Sequence, residues 1–188
     1  MNEESMDQVS FSADQFHAIV APKVNMIEAG GGINLWVLGV LVTLKALGNE
    51  TGGTYAVFED RVPPGSGPPP HIHTLEDESW YMLEGELIWL VGGKEFHAKP
   101  GSFIHLPRFV PHTFENRFDK TAVMVLNYAP GGLENWFLQV GKRVQDPAEA
   151  PPRVSNEERK KAVELMKEYG VIYAGNPEQK QQSSSATI

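Results

Sequence analysis

Between Ile33 and Tyr128 the chain breaks into short β-branched and aromatic runs, each ended by a turn residue, with no helical periodicity. That spacing restricts the stretch to an all-β barrel or sandwich. The runs are INLWVL, VLVTLKAL, TYAVFEDRV, ESWYMLE, ELIWLV, KEFHA, SFIHLP, HTFENRF and TAVMVLNY, with turns at Gly52-Gly53, Glu84-Gly85, Gly92-Gly93 and Pro100-Gly101. Connections this short favour antiparallel neighbours. At 188 residues, 41% of them apolar, one domain can hold its core by packing alone. The absence of cysteine removes thiol catalysis, disulfides, Cys-ligated zinc and iron–sulfur clusters, so any metal must be held by nitrogen and oxygen.

The segment PPGSGPPP, residues 63–70, carries five prolines in eight residues and cannot donate a normal ladder of N–H bonds. Strands on both sides continue one pattern, which places it inside the barrel as a stiff, extended lead-in. The reading divides the chain into an N-terminal arm at 1–30, a β-barrel at 31–130, a C-terminal helical extension at 131–175 and a disordered polar tail at 176–188. In the extension, LENWFLQV is expected to form a short helix. SNEERKKAVELMKEYG reads as a second one: Ser155 and Glu158 form a capping box, Ala162, Leu165 and Met166 an apolar stripe, and Gly170 the stop. The remaining charges on this helix are expected to face solvent.

Sixteen basic against 24 acidic side chains give a net charge of −8, which disfavours nucleic acid and acidic membrane surfaces as partners. The first residues, MNEESMDQ, lack the positive start and apolar stretch of a secretory signal, and the most apolar stretch, Ile33 to Leu44, is interrupted and too short to span a bilayer. The expectation is a cytoplasmic protein that binds a small molecule.

Four residues stand out: His71, His73, Glu78 and His112. Two residues apart on a strand, His71 and His73 point to the same face with Cα atoms roughly 6.6 Å apart, close enough to share one cation. The intervening TLED turns the chain, so Glu78 is expected on a neighbouring strand with its carboxylate at the same point, and His112 on a later one. Three imidazoles and a carboxylate suit one divalent transition metal, Fe, Ni, Mn, Co, Cu or Zn, rather than Ca or Mg. The other histidines, His17, His97 and His105, read as ordinary polar residues.

These residues lie in two longer patterns, Gly65-x5-His71-x-His73-x4-Glu78-x6-Gly85 and Gly101-x5-Pro107-x4-His112-x3-Asn116. Together they resemble the paired signatures of the cupin superfamily, which implies an antiparallel jelly-roll β-barrel with a metal inside. One departure is Phe109, where the family usually has glycine; it bears on the shape of the loop, not on the ligands. The single barrel with GSGPPPHIH before the first pattern and a helix after the barrel is similar to the bacterial monocupin quercetin 2,3-dioxygenases. That resemblance implies a homodimer and oxygenative ring cleavage of a flavonol or similar aromatic hydroxyl compound by dioxygen. It also implies that His71, His73 and His112 hold the metal and that Glu78 doubles as general base.

Strand alternation places Trp80 and Met82 on the face of Glu78, and Phe114 on the face of His112, as the expected substrate pocket. No inward cluster of Lys and Arg can be assigned, Arg108 being the only candidate, so the expected substrate is uncharged and aromatic. Two other readings stay open: a cupin that binds a small molecule or metal without turnover, and an oxygen-independent isomerase or lyase.

Overall fold

The computed structural model describes residues 24–173. Residues 24–32 have no strand or helix, and the rest of the expected arm, His17 and the expected tail lie outside the described residues. Ten strands follow: β1 (Ile33–Val37), β2 (Val40–Ala46), β3 (Ala56–Val62), β4 (His71–His73), β5 (Asp77–Glu84), β6 (Leu87–Val91), β7 (Lys94–Ala98), β8 (Phe103–Leu106), β9 (His112–Glu115) and β10 (Ala122–Ala129). Then come α1 (Glu134–Val140), β11 (Lys142–Arg143), α2 (Asn156–Met166), a 3-10 turn (Lys167–Tyr169) and β12 (Val171–Tyr173). All paired strands are antiparallel, in one sheet of order β11-β1-β2-β3-β10-β5-β8 and a second of order β12-β4-β9-β6-β7. Closed on one another they make a jelly-roll β-barrel with a C-terminal helix.

Alternation decides what enters the core. β3 buries Ala56, Phe58, Asp60 and Val62, and β5 buries Glu78, Trp80 and Met82. Trp80, Trp89 and Phe114 meet edge to face or tilted at 4.9–5.5 Å between ring centres, and Phe58 meets Tyr128 and Phe137 at 5.4 and 5.0 Å. The run HTFENRF stops being a strand after Glu115 because Asn116, fully buried, turns the chain. Its Nδ2 donates to the carbonyls of Val62 and Lys120, and its Oδ1 accepts from Phe118 N–H.

The proline segment has no regular structure and runs beside β9. Thr113 Oγ1 donates to Pro68 O, Gly65 N–H to Asn116 O, and Asn116 N–H to Ser66 O. A Cβ on Gly67 would collide with the Phe114 carbonyl, so only glycine lets the two backbones approach this closely.

Both expected helices form. The Ser155 capping box is complete, with Glu158 N–H donating to Ser155 Oγ at 3.1 Å and Ser155 N–H to Glu158 Oε2 at 2.8 Å. Gly170, at φ +75°, ends the turn after α2. Trp136 Nε1 on α1 donates to the Ala162 carbonyl on α2, which fixes the two helices against each other.

The segment read as a helical extension also supplies two strands. β12 pairs with β4 over three residues, Val171 with His73, Ile172 with Ile72 and Tyr173 with His71, while β4 and β9 share one pair, His71 with His112. Thr74 reinforces this seam, its N–H and Oγ1 both donating to Gly170 O. Among the described residues no helix is long and apolar enough to cross a membrane.

Candidate metal centre

His71 and His73 flank the outward Ile72 on β4, and His112 opens β9 beside them. All three imidazoles are buried on the inner face of the five-stranded sheet, with ring centres 4.4–5.6 Å apart. Glu78 faces them from the other sheet. The expectation that it returns on a neighbouring strand is corrected here: the neighbours of β4 are β12 and β9, and the turn at Thr74–Glu76 carries the chain across the barrel to β5. One ligand atom from each of His71, His73, Glu78 and His112 can be chosen so that all four lie within 4.8 Å of one another.

Hydrogen bonds fix the ring orientations. His71 Nδ1 donates to Pro69 O at 3.0 Å and His112 Nδ1 to Val110 O at 2.9 Å, which leaves the Nε2 lone pairs free. His73 Nδ1 faces Glu76 Oε2 at 3.4 Å, a buried carboxylate in the turn that the sequence reading passed over. On Glu78, Oε2 accepts from Trp80 Nε1 at 3.0 Å. Its other oxygen, Oε1, lies 3.0 Å from both His73 Nε2 and His112 Nε2, yet these three buried atoms lack hydrogen-bond geometry with any partner. Orphaned buried polar atoms gathered at one point, with outer nitrogens already paired, fit a metal cation.

The protein's own charges suit His71 and Glu78 as ligands, while His73 carries a proton that a cation would have to displace. Burial, with the imidazoles of His112 and His73 beside it, pushes His71 down to about 3, so it is a neutral donor. Burial opposes the charge on His73, but Glu78 and Glu76 outweigh it and raise the ring to about 9. Burial likewise works against ionisation of Glu78, and His73 and His112 overcome it, holding the carboxyl well below the usual range.

His71, His73 and His112 line a cavity of about 90 Å³, while Glu78, buried behind them, is not on its wall. Trp80 and Phe114 line it, as expected for the pocket, while Met82, fully buried on the same face, is not on its wall. Trp136 and Phe137 of α1 add two aromatic walls. Arg108 is not at the cavity: its guanidinium pairs with Asp77 at 2.9 Å on the surface. The arginine at the cavity is Arg159 of α2, which reaches the rim with Met166 and Tyr173, although its helix face was expected to be merely solvated. Asp60 is a second unexpected lining residue. His97 and His105 lie apart on the outside, His97 stacked on Phe118.

The cupin-domain family model matches residues 58–128. The quercetin 2,3-dioxygenase of Bacillus subtilis (strain 168) is 29% identical over 118 residues, 62% of this chain and 34% of that protein. Tetracenomycin polyketide synthase protein TcmJ of Streptomyces glaucescens is 30% identical over 92 residues, 48% of this chain and 62% of that protein. The matched region thus spans a third of the one relative and under two thirds of the other. Among solved structures, a predicted oxalate decarboxylase from Thermotoga maritima superposes with a TM-score of 0.54 at 18% identity, covering 56% of this chain and 99% of that one. That likeness is one of fold. A buried three-histidine, one-glutamate group in a jelly-roll barrel, within the stretch that matches the cupin-domain model, identifies residues 58–128 as a cupin domain.

Proposed function

We propose that this protein is a metal-dependent cupin dioxygenase acting on an uncharged aromatic compound with a ring hydroxyl, of which flavonols are one class. The observation that carries the reading is the convergence of three histidines with Glu78, the histidines lining a largely apolar, aromatic-walled cavity. The similarity to a quercetin 2,3-dioxygenase supports it.

His71, His73, Glu78 and His112 would hold a divalent transition metal, which when bound supplies Lewis-acid activation of the hydroxyl and redox contact with dioxygen. The residues around it do the rest. Glu78 Oε1 takes the hydroxyl proton, while Trp80 Nε1 holds Oε2 and so keeps the carboxylate aimed. Trp80 and Phe114, packed edge to face on each other, form one aromatic wall against which the ring lies and from which water is excluded. A volume of about 90 Å³ takes one ring, so a larger substrate extends its other rings toward the rim at Arg159, Met166 and Tyr173.

Oxygen consumption by protein loaded separately with Fe(II), Ni(II), Mn(II) and Co(II) tests the proposal, with flavonols including quercetin and single-ring phenols as substrates. Metal-dependent uptake with loss of the aromatic is expected. No uptake at full metal occupancy would discard the reaction and favour a binding role or oxygen-independent chemistry.

A further inference from the structure

Asp60 is the one acidic residue on the inner face of β3, between Phe58 and Val62, and it is only 5% exposed. Its Oδ1 is enclosed without a hydrogen-bond partner. Around it the cavity wall is apolar, with Val40 and Val42 from β2 and Leu133 beside α1. An unpartnered carboxyl in such a wall costs stability and does nothing for the core. Burial, then the charges of Glu78 and Glu59, push it up to about 8, so near neutral pH it can donate a hydrogen bond as well as accept one.

Its position is offset from the metal ligands. Asp60 lies in the cross-strand row Asp60–Met124–Met82, and Glu78 in the row Ala56–Tyr128–Glu78. The row Phe58–Leu126–Trp80 runs between them, and inward rows stand roughly 6.6 Å apart along a strand. Asp60, on the cavity wall, and Glu78, grouped with the histidines that line it, therefore stand on opposite sides of the Trp80 row.

We propose that Asp60 is a second polar anchor for the substrate, binding a hydroxyl or comparable hydrogen-bonding group on the side of the ring away from the metal ligands. The inference rests on the cavity being the substrate site and narrows its substrate class to ring compounds with two polar groups separated by the ring. Asp60 is a specificity-determining residue in this arrangement: it selects the doubly substituted ring, and Glu78 handles the reacting hydroxyl.

The test is calorimetric titration of Zn(II)-loaded protein, without oxygen, with phenol, resorcinol and hydroquinone, using wild type, Asp60→Leu and Asp60→Asn. Wild type should bind at least one dihydroxy ring about tenfold or more tighter than phenol, the scale of one well-placed buried hydrogen bond. Asp60→Leu should bind all three alike with phenol affinity retained, and Asp60→Asn should keep part of the discrimination. The ligand-free Leu variant should melt at or above the wild-type temperature, since it loses an unpartnered carboxyl. Dihydroxy rings that bind no better than phenol, or not at all, would overturn the proposal. So would equal loss of all three ligands in Asp60→Leu, or a drop of several degrees in the melting temperature of both variants. Because no turnover is involved, a failed oxygen-uptake assay leaves this result standing, and a failed titration leaves the dioxygenase reading to its own assay.

Discussion

Trp80 Nε1 donates a 3.0 Å hydrogen bond to Glu78 Oε2, two residues away on the same face of β5. Strand alternation alone brings the pair together, and the bond leaves Oε1 facing the imidazoles. Trp80→Phe keeps an aromatic wall but removes the donor. Metal affinity should fall about tenfold, the usual effect of losing a hydrogen bond that orients a ligand, as read by competition with a chelator. Unchanged affinity would show that the indole serves only the wall.

Glu78→Gln removes the proton acceptor while keeping the shape. The variant should retain part of its metal through His71, His73 and His112, and lose turnover by about 100-fold or more. Full turnover in a metal-loaded Gln variant would remove the proton-transfer role.

Glu76 is buried and faces His73 Nδ1 from the turn. Glu76→Gln weakens the charge that makes this ring a strong donor, so zinc affinity should drop about tenfold while far-UV circular dichroism stays the same. A variant as tight as wild type would assign Glu76 to the turn alone.

Phe109 holds φ +68°, and its N–H donates to the His73 carbonyl at 2.8 Å. The position wants glycine, and a side chain that is 64% exposed gains little burial there. A left-handed non-glycine residue costs about 1–2 kcal/mol, against about 0.5–1 kcal/mol of added unfolded-state freedom for glycine. Phe109→Gly should therefore raise the melting temperature by about 2 °C, measured by calorimetry. A decrease would mean that the ring packs on its loop.

Asp60 gives the folded state a pH signature. Its carboxyl is pushed up from 3.8 to about 8, so between these values the fold holds a proton that the unfolded chain has released. The contribution to stability falls as pH rises through this window and levels off above 8, at a slope of at most ~1.4 kcal/mol per pH unit. Asp60→Asn lacks the slope. Its advantage in thermal melts should be small near pH 4.5 and should widen up to pH 8; parallel curves would count against a buried neutral carboxyl.

The strands and the four-residue group were legible because each rests on short-range periodicity. A two-residue spacing fixes which side chains share a face, as with His71 and His73 or Glu78 and Trp80. What escaped needs tertiary information. Asp60 breaks an otherwise apolar inward series, Phe58-x-Asp60-x-Val62, and that interruption was a signal available in the sequence. Arg159 follows a capping box on a polar helix, and only the docking of α2 shows that it reaches the cavity rim. The three residues of β12 are too few to show alternation, and Glu78 arrives from the opposite sheet because β4 takes its long-range partner from β12.

The seam between β4 and β12 also sets an order on the protein's biosynthesis. The strand carrying two of the proposed ligands shares one pair with β9 and three with β12, and the Thr74–Gly170 contact that fastens it joins residues 96 apart. A nascent chain cannot finish this sheet until Val171–Tyr173 have been made and have emerged, so the proposed metal capture comes after most of the described fold has been synthesised.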